Sequence, residues 1–286
     1  MEGTSMDVTI VGIGLIGGSM AIDLRRHGFA DRFTAVDSNP LHAATAVDRG
    51  LADRAASLEE GVAGADLVIV AVPVDVALTL VPRVLDLVED QVVTDVCSTK
   101  TSIMGAVAGH PRRSRFVSAH PMAGTENSGP WAALPNLFES KAGIICNSSD
   151  SDPDAVALVE RMYDALNMRL IHMQAADHDV HVAYVSHVSH VISFALALTV
   201  LEKERSTQAI FNLASGGFDS TARLAKSSAD MWCPIFAHNR ENILPVLDTY
   251  MEVLQRFRAS IAAGDRDGMT GMIQEANRIR RVLAPK

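Results

Sequence analysis

The segment VTIVGIGLIGGS, residues 8–19, sets Gly12, Gly14 and Gly17 in G-x-G-x-x-G spacing where a β-branched run passes into a helical pattern. The first glycine permits a tight turn, the second admits a pyrophosphate close to the backbone, and the third lets helix and strand pack closely. The N-terminus of the helix that follows attracts the phosphate charge. A dinucleotide site is therefore expected at Gly12, Gly14, Leu15, Ile16 and Gly17.

The same rhythm continues beyond this turn. Strand-like runs VTIVG, FTAVD, DLVIVAV, QVVTDV, RFVSAHP, AGIICN and MRLIHM are spaced along residues 8–173, with helical patterns near 15–27, 40–49 and 74–88. Parallel strands need crossover connections, and apolar strands need cover on both faces, so the alternation predicts a parallel sheet between helices. After Met173 the strands stop, and residues 174–203 contain neither Gly nor Pro. Helical periodicity then runs on, with breaks expected at Gly216-Gly217, Pro234, Pro245 and Gly264. The expected fold class is an α/β N-terminal Rossmann domain plus an all-α C-terminal domain, with domains 1–172 and 173–286.

Asp37 closes the second strand, twenty residues past Gly17, where a carboxylate accepts hydrogen bonds from ribose hydroxyls and repels a 2′-phosphate. No Arg or Lys follows in DSNP, so the expected cofactor is NAD rather than NADP. Capping the helix that starts near Pro40 is the other role open to Asp37, although Ser38 or Asn39 would serve equally. Val72 and Pro73 sit at the carboxyl end of a strand, where ligands lie in open α/β sheets, and are expected to line the cofactor groove. Ser98, at the next strand end, either reaches the nicotinamide or substrate or caps a helix.

A hydrophobic share of 48% supplies apolar surface for two cores, and a net charge of −9 argues against nucleic acid or an anionic membrane as partner. Cys97, Cys146 and Cys233 lack disulfide or zinc spacing and read as buried thiols of a reducing compartment. With no secretory pattern before Asp7, a cytoplasmic location is expected. Val191–Leu201 is about half a membrane span in length and reads as a buried helix, apolar almost all round. A helical half of this size is expected to find that shelter in a second copy, as a homodimer.

From His120 to Gly129 runs HPMAGTENSG, a polar loop at a strand end. It resembles the HPxxGxE element of prephenate and arogenate dehydrogenases, enzymes of tyrosine biosynthesis. Further matches are SHVSH at Ser186–His190, GGFDSTARLAKS at Gly216–Ser227, Met231-Trp232, and NRENIL at Asn239–Leu244, in order along nearly the whole chain. CPIF after Trp232 departs from the family in lacking an acidic residue often found there.

The resemblance implies oxidation of a ring carbinol by hydride transfer to NAD with loss of the ring carboxylate. It implies His120 as acceptor of the hydroxyl proton, and a neutral imidazole is available for this near pH 7. It implies Arg223 as the carboxylate clamp, a task suited to a planar guanidinium. Ser186, His190 and Gly216 are implied to hold substrate, and Thr125 and Glu126 to contact substrate or gate the cleft. Lys226 and Arg240 either add positive potential near the pocket or lie on solvated helix surface.

His178, His181, His187 and His190 form a tempting cluster, but no carboxylate or cysteine completes a recognisable zinc set, so no metal is expected. A 3-hydroxyacid dehydrogenase of similar two-domain plan is the rival enzyme; its usual lysine on the first helix of the second domain has no counterpart in residues 173–201. A non-catalytic NAD-binding redox sensor is the rival outside enzymes, and it would not need His120 together with Arg223.

Overall fold

The computed structural model describes residues 6–206 and 210–282. Its first stretch comprises β1 (Asp7–Val11), α1 (Leu15–Arg26), β2 (Arg32–Val36), α2 (Pro40–Asp48), β3 (Arg54–Ala55), α3 (Leu58–Ala63), β4 (Leu67–Val70) and α4 (Val74–Leu87). There follow β5 (Val92–Asp95), α5 (Thr101–Val107), β6 (Phe116–Pro121), β7 (Ala142–Cys146), α6 (Pro153–Ala165) and β8 (Arg169–Met173). Beyond Met173, among the described residues, all regular elements are helical: α7 (Ala175–Val182), α8 (Val188–Ser206), α9 (Gly216–Ala222), α10 (Ala229–His238), α11 (Arg240–Ala263) and α12 (Arg266–Ala276).

The eight strands form one sheet in the order β3-β2-β1-β4-β5-β6-β7-β8. The order reverses direction at β1 and β4, the kind of switch point where open α/β sheets bind ligands. Val11 lies beside both Val36 and Val70, and Val70 beside Asp95, so these strands end along a common carboxyl edge. Leu67 and Ile69 enter one core with Ile10, Met20, Leu24 and Tyr163, whereas Val68 and Val70 enter another with Val81, Val84 and Leu85. Successive strand residues point to opposite faces, so this division is the signature of a sheet covered on both sides.

The expected α/β to all-α sequence of elements is present, and several details differ. β7 runs antiparallel to β6. No crossover helix occupies residues 122–141, only a 3₁₀ turn at Pro130–Ala132, and a parallel neighbour needs a crossover. β3 is a two-residue edge strand, too short for an alternation to register. Pro234 and Pro245 lie inside α10 and α11 rather than breaking them. Trp232, Ile235, Ile243 and Val246 flank these prolines and are buried, and packing of that kind overrides a proline's local cost. Gly264, in the left-handed region at φ 65°, does separate α11 from α12.

The Gly- and Pro-free stretch is α7 and α8 joined by a π-helical turn, Ala183–His187, not one regular α-helix. The expectation that Val191–Leu201 is buried fails for the single chain: Leu198 is 67% and Leu201 48% exposed. Ala175–Arg205 as a whole is long and apolar enough to cross a membrane by length and composition. Cys97 and Cys146 are buried free thiols, but Cys233 is exposed on α10, against expectation. Burial pushes the Cys146 thiol up to about 12.

Two compact units divide the chain, residues 1–240 and 241–286. The first contains the sheet and α1–α10; the second is built from α11 beyond Arg240 and α12.

Candidate active site

The glycine turn sits at the carboxyl end of β1. Gly12 has φ +92°, and a Cβ there would lie 2.4 Å from the Ala71 carbonyl oxygen and 2.7 Å from the Val72 side chain. A Cβ on Gly17 would meet the Gly12 carbonyl at 2.4 Å and Ile10 at 2.7 Å. Gly14 is different, because a Cβ there meets nothing within 4 Å. Gly14 is also the N-cap of α1, carries no side-chain cap, and has no acidic residue in the turn after it. The first turn of α1, at Leu15 and Ile16, thus has neither a side-chain cap nor an acidic residue of its own, as at a helix start that receives a phosphate.

Asp37 joins this turn from the end of β2. Its carboxylate accepts hydrogen bonds from the Ile13 amide at 3.1 Å and the Asn39 amide at 2.9 Å. The cap of α2 is Asn39, whose side chain accepts from the Leu41 amide, so Asp37 does not have that role. Val72 is half-buried against the turn, and exposed Pro73 is the N-cap of α4.

His120 lies at the end of β6 with 8% exposure. The ground beneath it is polar and closed. Asp95 accepts from the Ser118 hydroxyl at 3.0 Å and the Ala119 amide at 3.3 Å, and it pairs with the ammonium of Lys100. Lys100 also donates to the Ala119 carbonyl at 2.6 Å. Both charges are completely buried, where they are tolerated only because each is paired and hydrogen-bonded. The pair ties the end of β5 to the residue before His120.

Beyond it, His120 Nδ1 is 2.9 Å from His178 Nε2, and His178 Nδ1 is 2.8 Å from the Asp179 carboxylate. Asp179 also accepts the Lys100 and Thr101 amides, each at 2.8 Å, and so caps α5. Ser98, half-buried just before, is thus not the cap of that helix. Burial pushes the His120 imidazole well below its ordinary range, and His178, Lys100 and His187 push the same way. His120 is accordingly neutral at pH 7, as a proton acceptor must be.

A second group comes from α8, α9 and α10. His190 stacks on Trp232 with ring centres 3.4 Å apart, and its Nδ1 donates to the Ser186 carbonyl at 3.0 Å across the π-helical turn. Burial holds His190 below its usual range, the Ser186 bond opposes this, and Arg223 lowers it further. His187 is held at about 4, chiefly by burial, and accepts from the Asn239 amide at 3.0 Å. Ser193 on α8 donates to the Thr221 carbonyl at 3.0 Å and so anchors α9, which begins at exposed Gly216.

At the far end of α9, Arg223 donates to Glu126 at 3.0 Å, linking the helical region to the His120 loop. In that loop Thr125 accepts from the Asn127 amide at 3.2 Å. Lys226 pairs with Asp219 on exposed surface.

The sequence reading brought His120, Glu126, Arg223, Ser186 and His190 into view but missed Asp95, Lys100, His178, Asp179, Trp232 and Asn239 as their supports. Charged Asp95 and Lys100 at an apolar strand end were a usable signal; the His178–His120 contact, spanning 58 residues, left none.

Comparison with known proteins bears on the family. Residues 20–172 match the family model "Prephenate dehydrogenase, nucleotide-binding domain", and 174–275 match "Prephenate dehydrogenase, dimerization domain". The first match begins beyond the glycine turn, so that turn stands on its geometry. The prephenate dehydrogenase of Bacillus subtilis is 30% identical over 266 residues, covering 92% of this chain and 72% of the relative. A crystal structure of prephenate dehydrogenase from A. aeolicus, in complex with hydroxyphenyl propionate and NAD+, superposes with TM-score 0.89 at 30% identity, covering 99% of this chain and 100% of that one. Synechocystis arogenate dehydrogenase gives TM-score 0.75 at 27% identity, with 96% and 99% covered. By both domain matches, in order and over most of its length, this chain belongs to the prephenate dehydrogenase family.

Proposed function

We propose that this protein catalyses the NAD-dependent oxidative decarboxylation of prephenate, or of its amino counterpart arogenate, in tyrosine biosynthesis. The observation that carries the reading is an almost buried His120 at a strand end, on the same sheet edge as a glycine turn whose helix start has no side-chain cap.

The cofactor would rest on Gly12, Gly14, Leu15, Ile16 and Gly17, with Asp37 at the ribose and Val72, Pro73 and Ser98 along the groove. NAD, when bound, supplies the acceptor for the hydride leaving the ring carbon. His120 takes the hydroxyl proton on Nε2 as that C–H bond breaks, so the oxygen's electron pair closes the carbonyl. The bond to the ring carboxylate then breaks and carbon dioxide leaves; its electrons complete the aromatic ring as the carbonyl pair returns to oxygen, which takes a proton back to become the phenol. Ser98 adds a hydroxyl beside the reacting oxygen.

Arg223 clamps a substrate carboxylate, for which Glu126 holds its place in the free enzyme. Thr125, Ser186, His190 and Gly216 surround the substrate, and Trp232 keeps the His190 ring fixed. The functional division we propose falls at residues 1–172 for cofactor and 173–286 for substrate and dimer contact.

The exposed apolar residues of α8, Leu198 and Leu201, are covered by a second copy of the chain rather than by lipid. In support, the same helical run carries His178 and Asp179, which are hydrogen-bonded into the sheet at β6 and α5. A cytoplasmic setting fits an enzyme that draws on soluble NAD.

His120→Asn tests the mechanism: turnover is expected to fall by about a hundredfold or more while NAD binding persists. Near-normal turnover would refute the role.

A further inference from the structure

The chain of contacts behind His120 has a direction. Asp179 is buried, which favours its neutral form, but hydrogen bonds from His178 and from Thr101 and Lys100 outweigh burial and hold it below the ordinary carboxylate range. It is an anion with only acceptor capacity. His178 Nδ1 must therefore carry a proton to face it. Burial keeps His178 neutral, the Asp179 bond opposing, so its one proton is on Nδ1 and its Nε2 is a lone pair. His120 Nδ1 stands 2.9 Å from that lone pair, and two lone pairs at this distance repel, so His120 Nδ1 is the donor. Neutral His120 then has its own lone pair on Nε2, the nitrogen for which no bond to the described residues is present.

We propose that His178 and Asp179 are positioning residues that hold His120 in the Nδ1–H tautomer and aim its Nε2 lone pair at the substrate hydroxyl. The inference rests on His120 being the proton acceptor. The two residues touch neither substrate nor cofactor and act through His120 alone. Their anchor is the start of α5, whose amides fix the Asp179 carboxylate, so the relay's far end is part of the sheet-bearing unit. When Nε2 takes a proton, the new imidazolium lies against a neutral imidazole backed by a carboxylate, the arrangement that orients a base and stabilises its charged form.

The direct test is the ¹⁵N spectrum of the whole enzyme labelled at its histidine rings, near pH 7.5, with His120 identified by its loss in His120→Asn. The proposal expects a neutral ring with a protonated Nδ1 and an unprotonated Nε2; the reverse tautomer overturns it. Kinetics give a second arm. His178→Leu should lower kcat by about a hundredfold with KM and NAD affinity within about threefold. His178→Gln, whose carbonyl can still accept from His120 Nδ1, should recover to within about tenfold of the parent. A kcat within threefold of the parent for His178→Leu overturns the proposal, as does a His178→Gln variant no better than it. Should His178→Leu lose NAD binding and so prove misfolded, the wild-type spectrum and the glutamine variant decide. Full activity in His120→Asn, by contrast, would defeat the assignment of the base and leave the observed tautomer intact.

Discussion

Arg223 shows how a single side chain can be ready for a ligand without one. Its guanidinium is half-exposed and already paired with Glu126, a carboxylate on the loop that begins at His120. An exposed pair of this kind contributes little to stability, so a substrate carboxylate can displace Glu126 at small cost. Under the proposed function it offers a substrate carboxylate a planar guanidinium in return. Arg223→Ala should therefore raise KM by about thirtyfold or more and change kcat much less, since removing one partner of a desolvated charge pair costs affinity. Steady-state kinetics at saturating NAD would check this. An unchanged KM would return Arg223 to the status of a surface residue.

The glycine turn between β1 and α1 separates two kinds of requirement that one motif conceals. Gly12 and Gly17 are glycines because the protein itself fills the space, with backbone oxygens 2.4 Å from where a Cβ would be. A Cβ on Gly14 would meet nothing within 4 Å among the described residues, so under the proposed function its constraint is the cofactor. Gly14→Ala should keep the parent melting temperature and weaken NAD binding by about tenfold or more, whereas Gly17→Ala should lower the melting temperature by several degrees. Thermal denaturation with and without NAD distinguishes the two. Equal melting losses in both would mean that Gly14, too, answers to packing.

This turn was legible in the sequence because its meaning is local: three glycines, a strand before and a helix after. The same holds for Asp37, whose alternative as a cap disappears once Asn39 is seen to cap α2. His120 was legible through its loop. Its supports were not, because His178 stood out only within a histidine cluster weighed as a metal site, and only the fold brings its helix against β6. The reversed β7 was hidden for a related reason, since strand direction depends on the path of the connection rather than on the strand's own residues. Pro234 and Pro245 misled because a local breaking tendency gave way to tertiary packing.

For the molecule as a whole, the single chain leaves α8 with an unpaid hydrophobic surface. Leu198 and Leu201 are large, apolar and exposed on a helix that the sequence alone would bury. A second copy on this face accounts for both facts. Sedimentation equilibrium at micromolar concentration should give a dimer, and Leu198→Glu with Leu201→Glu should shift it toward monomer by placing charges in an apolar contact. A parent chain that sediments only as monomer would remove the dimer from the account.

The proposed reaction is tested by the initial rate of NADH formation with NAD and, in separate reactions, prephenate and arogenate. A clear rate with one or both, lost in His120→Asn, is the predicted result and also fixes the side-chain preference. Silence with both substrates, while NAD still binds, would contradict it.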